Sequence, residues 1–313
     1  MFSQIISAIN NSKKIIILPH KSADGDCLGS AFALKLMLQN IGKEVVVLLE
    51  EKPFPRICNI LFGVEDECEI DNDLVICVDC GDKARLGDRI SFFEKCCSTI
   101  NIDHHPTNTN FATHNYVNST AAATGEIIFE LAQYMNIEID QKIATNIYIA
   151  IASDTGGFSY SNTKPQTHRI AAELLETGFD NASINQFLFD SNSMTRLMLM
   201  KEALNSLEVY ANGKIAIVSI TEEQMKNIGA EEDDAGGLIS LARSLDTAKI
   251  SLCIKEQNDG KEVKVSMRSN VIDVSQLSQK FGGGGHIRAS GCTINADIKT
   301  AKAMLLSEIE KQI

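Results

Sequence analysis

Short, unbroken apolar runs recur through the first half of the chain, and each stops at a turn or a polar cluster. They cover residues 15–18, 45–49, 74–78 and 99–102. A strand wet on one face alternates apolar and polar residues, whereas a strand covered on both faces reads as a continuous apolar run. Between the runs lie segments of helical period, residues 30–39 among them, and residues 143–153 form a longer apolar stretch that reads as helix. Covered strands alternating with helices specify an α/β fold built on a doubly wound parallel sheet. In such sheets ligands gather beyond the carboxyl ends of the strands, which is where the polar clusters lie.

From Val209 the pattern changes. Residues 215–220, 250–255 and 262–267 are strand-like, 235–244 and 274–281 helical, 292–294 a short last strand and 300–313 a final helix. Asn258-Asp259-Gly260 between two of these runs is a hairpin signal. This describes a smaller α+β domain. A length of 313 residues also suits two domains. The expected division is a first domain over 1–185, a helical connector over 186–208 and a second domain over 209–313.

The charge excludes one class of function. Lys and Arg total 29 against 41 Asp and Glu, a net charge of −12. Residues 1–208 hold 16 basic and 27 acidic side chains, residues 209–313 hold 13 and 14, so neither half is basic. Gripping long nucleic acid needs many cations to displace its counterions. A polyanionic ligand must therefore be short, held by a few focused charges or by bound metal ions. The nine cysteines are odd in number and do not read as a disulfide framework. Cys77 and Cys80 form a CxxC in an apolar run, but no second CxxC completes a zinc site, and adjacent Cys96 and Cys97 do not supply one. Reduced thiols serving as small core residues are the expectation. No apolar run approaches the ~18 residues of a membrane span. The first dozen residues lack the features of a signal peptide. A soluble, cytoplasmic protein without a membrane partner is expected.

Four clusters carry the chemistry. They are His20-Lys21-Ser22-Ala23-Asp24-Gly25-Asp26, then Asp79 after the third run, Asp103-His104-His105 after the fourth, and Asp154-Thr155-Gly156-Gly157 after the apolar stretch. A single Asp after a strand is commonly a turn former or helix cap. Four clusters at run ends, all rich in carboxylate or imidazole, ask for more. If His20, Asp24, Asp26, Asp79, His104 and Asp154 converge, four carboxylates share one site. Each pair at ~5 Å costs roughly 3 kcal/mol at an effective dielectric of 20. Two divalent cations balance four carboxylates, and mixed carboxylate–imidazole ligation suits manganese or a similar first-row ion better than calcium. A metal pair ~3.5–4 Å apart is a known device for in-line attack at phosphorus.

In this order and spacing the clusters resemble the four motifs of the DHH phosphoesterase superfamily. Phe281-Gly-Gly-Gly-Gly-His286-Ile-Arg-Ala-Ser-Gly291, with Met267-Arg268-Ser269 upstream, resembles the signature of the associated DHHA1 domain. The whole chain is similar to the subgroup of oligoribonucleases and phosphoadenosine phosphate phosphatases, which implies that 1–185 is a metal-binding catalytic domain and 209–313 a substrate-binding domain, with the active site in the cleft between them. That resemblance implies one metal on His20 and Asp24, a second on Asp26, His104 and Asp154, and Asp79 bridging both. It makes Asp103 an orienting partner for a histidine, and places His105 against the substrate phosphate. Manganese is the implied ion, with magnesium or cobalt as alternatives, and a homodimer is compatible. Asp79, His104, His105 and Asp103 form the implied catalytic set.

The glycine run, residues 282–285, lets backbone approach a ligand closely, and its N–H groups suit an anion. It is not a P-loop, since no Lys-Ser or Lys-Thr follows, nor a dinucleotide fingerprint, since no strand precedes it. The resemblance assigns Arg268, Ser269 and His286, with Gly284 and Gly285, to the nucleotide. Arg268 suits bidentate phosphate recognition, and Arg288 is a weaker candidate. His114 and His168 match no motif and read as structural. The run Glu231-Glu232-Asp233-Asp234 reads as a solvated helix start at Ala235. The expected activity is hydrolysis of short oligoribonucleotides and of adenosine 3′,5′-bisphosphate to AMP. Signalling dinucleotides are the alternative substrate, and a nucleotide-binding regulator with a dead metal site is the alternative outside enzymes. Inorganic polyphosphate and long single strands are disfavoured.

Overall fold

The computed structural model describes residues 2–50, 56–65 and 72–312. They divide into two compact units, one ending at Ser191 and one starting at Asn192. The first carries strands β1 (Lys14–Pro19), β2 (Glu44–Val47), β3 (Leu74–Val78), β4 (Thr99–Asp103) and β5 (His114–Val117). Its helices are α1 (Ser3–Asn11), α2 (Gly25–Asn40), α3 (Ile90–Lys95), α4 (Thr124–Met135), α5 (Gln141–Asp154), α6 (Pro165–Leu175) and α7 (Asn181–Asn185). The strands form one parallel sheet in the order β2-β1-β3-β4-β5.

Why the runs are unbroken is now visible. Ile15, Ile17, Ile76 and Val78 point into a core beneath α2, α4 and α5, while Ile16, Leu18, Val75 and Cys77 point into a second core on the opposite face with Leu86 and Phe93. With both faces covered, neither parity of the strand can be polar. Gly29 brings α2 and α5 close: a Cβ there would lie 2.5 Å from the Asn146 carbonyl oxygen and 2.8 Å from the Ala150 nitrogen. That approach sets the first turn of α2 beside the last turn of α5.

The second unit carries β6 (Glu208–Tyr210), β7 (Ile215–Ile220), β8 (Ile250–Gln257), β9 (Glu262–Ser269), β10 (Gly284–His286) and β11 (Ala289–Ile294) in one mixed sheet, order β10-β11-β9-β8-β7-β6. Its helices are α8 (Met194–Asn205), α9 (Glu222–Ile228), α10 (Ile239–Arg243), α11 (Val274–Gln279) and α12 (Ile298–Glu310). Leu277, Leu305 and Ile309 pack on one face of the sheet, Leu199, Ala203 and Ala242 on the other. The segment read from sequence as a connector thus includes α8, whose Leu199 and Ala203 are fully buried in this core. Asn258 and Asp259 both adopt positive φ, the backbone of a tight hairpin turn joining β8 and β9.

One local expectation changes. The acidic run does not begin a helix at Ala235: residues 233–235 form a single 3-10 turn, and α10 starts at Ile239. Glu232 instead pairs with Lys255 and, at 3.5 Å, with Lys264, so its charge answers lysines on β8 and β9 rather than a helix end. The glycine run ends in a strand. Gly284 and Gly285 enter β10, pairing with Gly291 and Ser290 of β11. Among the described residues no helix is long and apolar enough to cross a membrane.

Candidate metal centre

His20 follows the last residue of β1 and is 3% exposed. Its backbone N–H donates to Cys27 Sγ at 3.2 Å, and its ring Nδ1 lies 2.8 Å from the Lys21 carbonyl oxygen. A carbonyl only accepts, so Nδ1 carries the proton and Nε2 presents a lone pair. That Nε2 lies 3.6 Å from Asp79 Oδ2. Cys27 is a donor the sequence did not single out. Its Sγ joins His20 and Asp79 in one group of ligand atoms within 4.8 Å of one another. Burial pushes its thiol well above the ordinary range, and the S–H donates to the Val78 carbonyl at 3.4 Å. Cys27 therefore ties the ends of β1 and β3 together as a neutral group.

Asp24 and Asp26 stand at the start of α2. Asp24 caps α2, accepting the Cys27 N–H at 3.1 Å, and Asp26 lies inside the first turn. The helix thereby aims Asp26 inward, where it is 1% exposed. Asp26 Oδ1 accepts from Ser30 Oγ and from Gly125 N–H, both at 3.0 Å, and Oδ2 accepts the Thr124 N–H at 2.7 Å. Ala123 offers α4 no side-chain cap, and Asp26 supplies one from 98 residues away.

Asp79 leaves β3 with a φ of 57°, a turn that directs its carboxylate across the strand ends. Thr124 Oγ1 donates to its Oδ1 at 2.9 Å. His104 Nε2 lies 3.6 Å from that same oxygen, 3.7 Å from Asp26 Oδ2 and 3.6 Å from Asp154 Oδ2. Asp154 is the final residue of α5. The ring Nδ1 of His104 faces the Ala121 carbonyl at 3.4 Å, which again leaves Nε2 as the free donor atom.

Asp103 is fully buried and holds the next histidine rather than this one. Its Oδ1 accepts the His105 Nδ1–H at 2.7 Å and the His104 backbone N–H at 2.8 Å, and Asn108 donates to Oδ2 at 2.5 Å. His105 Nδ1 also lies 3.6 Å from Asp79 Oδ1. Its proton is committed to Asp103, so that nitrogen is not a free ligand. Burial opposes protonation of His105, but Asp103 and Asp79 outweigh it and raise the imidazole to about 8.

The electrostatics show what the cluster lacks. Burial, then the charges of Asp79, Asp154 and Asp24, push Asp26 well above the carboxylate range. Burial lifts Asp154 to about 6, with Asp79 and Asp24 adding to it against the pull of His104. Burial opposes the charge of Asp79 too, yet the histidines around it hold that carboxyl far below its ordinary value. The charge of Asp24 therefore acts across the cluster, although Asp24 falls in none of the three tight donor groups found among the described residues, which are His20–Cys27–Asp79, Asp79–His104–His105 and Asp26–His104–Asp154. Converging carboxylates driven toward protonation, beside two imidazole lone pairs, fit divalent cations.

The fold thus brings His20, Asp26, Asp79, His104, His105 and Asp154 together in the first unit. Arg268, Ser269 and His286 lie in the second. Ala289 of β11 pairs with Arg268 of β9 on one side and His286 of β10 on the other, so the two candidates share one cross-strand row. Ser269 is mostly buried and its Oγ accepts the N–H groups of Val271 and Ile272, which gives it work in the turn after β9. Gly284 has open space at its Cβ position, whereas Gly285 has a φ of 141° and a Cβ there would lie 2.6 Å from the Ala289 carbonyl oxygen. His114 opens β5, and His168 stacks on Phe158 with ring centroids 5.4 Å apart. Cys77 and Cys80 are buried free thiols.

Comparison with known proteins agrees with both halves of this description. Residues 14–151 match the model of the DHH family, N-terminal domain, and residues 212–313 match that of the DHHA1 domain. The bifunctional oligoribonuclease and PAP phosphatase of Mycoplasma genitalium is 31% identical to the chain, over 93% of it and 92% of that protein. The chain belongs to the DHH family. The protein of the same name from Thermus thermophilus is 29% identical over 100% of this DHH-family chain and 94% of its own length. The crystal structure of an exopolyphosphatase-related protein from Bacteroides fragilis superposes with a TM-score of 0.91 at 25% identity, covering 99% of this chain and 95% of that one.

Proposed function

We propose that the protein is a phosphoesterase that hydrolyses short oligoribonucleotides to mononucleotides and adenosine 3′,5′-bisphosphate to AMP, using two divalent ions, manganese foremost. The observation that carries this reading is the sharing of Asp79 between two donor groups. Asp79 Oδ2 faces His20, while Asp79 Oδ1 faces the His104 that also meets Asp26 and Asp154. Support for the substrate comes from relatives that match the chain along nearly its whole length and bear the name oligoribonuclease and PAP phosphatase.

When bound, the metal pair would lower the pKa of an attacking water and offset charge on the phosphoryl oxygens. The chain's own residues do the rest. Asp24 adds negative charge beside His20. Asp103 keeps His105 in one orientation with its Nδ1 proton held, so a protonated His105 offers its Nε2–H to a phosphoryl oxygen. Arg268 and His286 are the residues of the second unit that would bind the nucleotide. Net acidity keeps long strands away.

The test is a turnover panel with added Mn²⁺: RNA dinucleotides, longer oligomers, adenosine bisphosphate and cyclic dinucleotides. Cleavage of dinucleotides and of the bisphosphate, with cyclic dinucleotides poor, is the expected result. Preference for cyclic dinucleotides would overturn the substrate assignment. Nucleotide binding without any hydrolysis would overturn the enzyme reading.

A further inference from the structure

Thr124 hydrogen-bonds the carboxylates of both Asp26 and Asp79, which belong to different donor groups. Its backbone N–H meets Asp26 Oδ2 at 2.7 Å, and its hydroxyl meets Asp79 Oδ1 at 2.9 Å. The residue is fully buried, so no water competes for either bond.

A buried threonine in a helix usually returns its hydroxyl to the preceding turn. The neighbouring α5 shows this: Thr145 donates to the Gln141 carbonyl at 2.7 Å, and Thr155, just past its end, to the Ile151 carbonyl at 2.6 Å. Thr124 stands at the first position of α4, where no earlier turn exists to receive it. Its hydroxyl goes to Asp79 instead, 45 residues back in the chain. Asp26 and Asp79 repel each other, and left free they would rotate apart. One rigid residue gives each a donor and so fixes the gap between them. The oxygen lone pairs not used by Thr124 are left toward the histidine nitrogens, at 3.7 Å for Asp26 and 3.6 Å for Asp79.

We propose that Thr124 is a positioning residue whose hydroxyl locks Asp79 against Asp26, so that two divalent ions are held rather than one. The inference rests on the two-metal reading above. Outer partners of metal ligands typically contribute 10–100-fold in affinity. Replacing the hydroxyl by a methyl group should therefore cost about that much in the weaker of the two Mn²⁺ binding steps, while a hydroxyl on a smaller side chain should retain it.

The experiment titrates Mn²⁺ into wild type, Thr124→Val and Thr124→Ser by calorimetry, without substrate. Two equivalents bound by wild type, a second step weakened about 10–100-fold in Thr124→Val, and Thr124→Ser within threefold of wild type are expected. If Thr124→Val does not fold by circular dichroism, Thr124→Ala serves as the hydroxyl-free variant. A hydroxyl-free variant that is folded and binds both equivalents as wild type does overturns the role of Thr124 and leaves the two-metal reading standing. Wild type that binds no Mn²⁺, or one equivalent only, overturns both. Equal weakening in Thr124→Ser and Thr124→Val shows that packing matters and the hydroxyl does not, which also overturns the proposal.

Discussion

Asp103 Oδ1 lies 2.7 Å from His105 Nδ1, and neither atom has freedom to move: Asp103 is fully buried and also accepts the His104 backbone N–H. A carboxylate in that position keeps the imidazole protonated into the alkaline range. Asp103→Asn removes the charge and keeps the shape. In metal-free protein, the His105 titration followed by NMR should fall from about 8 toward the ordinary histidine value of about 6.5. Turnover at pH 7.5 should drop by about 10–100-fold. An unchanged midpoint would show that Asp103 does not set the charge of His105.

Asp79→Asn keeps the size of the side chain and halves its ability to serve two ions. Hydrolysis should fall by about a thousandfold or more, since a carboxylate shared by two donor groups is lost at once. Arg268→Ala should behave differently. It should raise KM for dinucleotides about 10–100-fold, the loss of a charge-assisted contact worth about 1.5–3 kcal/mol, with kcat nearly kept. Steady-state kinetics on one dinucleotide series separates the two. Wild-type hydrolysis by Asp79→Asn would contradict the whole arrangement.

The metal-free protein should lose stability as pH rises from about 5 to 8. Asp26 and Asp154 hold protons more tightly folded than unfolded, because burial and neighbouring carboxylates penalise their charge. Their contribution is full below the unfolded value of about 3.9 and is lost as pH climbs, through about 6 for Asp154. His105 acts with the same sign, from its unfolded value of about 6.5 through about 8. Asp79 acts oppositely, since its folded value is depressed, but only in acid below the unfolded value. Calorimetry in chelator should show Tm falling by several degrees across that range, and Mn²⁺ should flatten the decline. A Tm that climbs from pH 5 to 8 in chelator would run against this account.

Gly29→Ala tests how the helices position the site. The added methyl meets Asn146 oxygen and the Ala150 nitrogen and Cβ at 2.5–3.0 Å, mostly backbone that cannot yield locally. The helices α2 and α5 must separate, at about 1–3 kcal/mol. Asp26 and Asp154 ride on those helices. Lower Tm together with weaker Mn²⁺ binding is expected; lower Tm with unchanged binding would show that the site tolerates the shift.

Much of the site was legible because its chemistry is written in local clusters. His20, Asp26, Asp79, His104 and Asp154 do converge, three clusters from strand ends and one from the end of α5. The helix-period signal also led to α2, α5 and α12, but α1, α3, α4 and α9 went unread, as did β5, β6 and β10. Residues 124–135 lack a capping side chain before them, and residues 114–117 are too short and too polar to read as a strand. The uncapped start of α4 was the one available hint that a distant acceptor was needed.

By itself, then, the order of residues determined the covered parallel strands, the hairpin at Asn258-Asp259-Gly260 and which side chains carry chemistry. These depend on side-chain period and on turn preferences that act over a few neighbours. Only the tertiary structure decided that Asp26 caps α4, that Asp103 orients His105, and that Cys27 joins β1 to β3. Those bonds join groups brought together by sheet register, by packing of α2 on α5 and by the angle at which a chain leaves its strand. No short stretch of sequence encodes a distance between segments that meet only when the core closes.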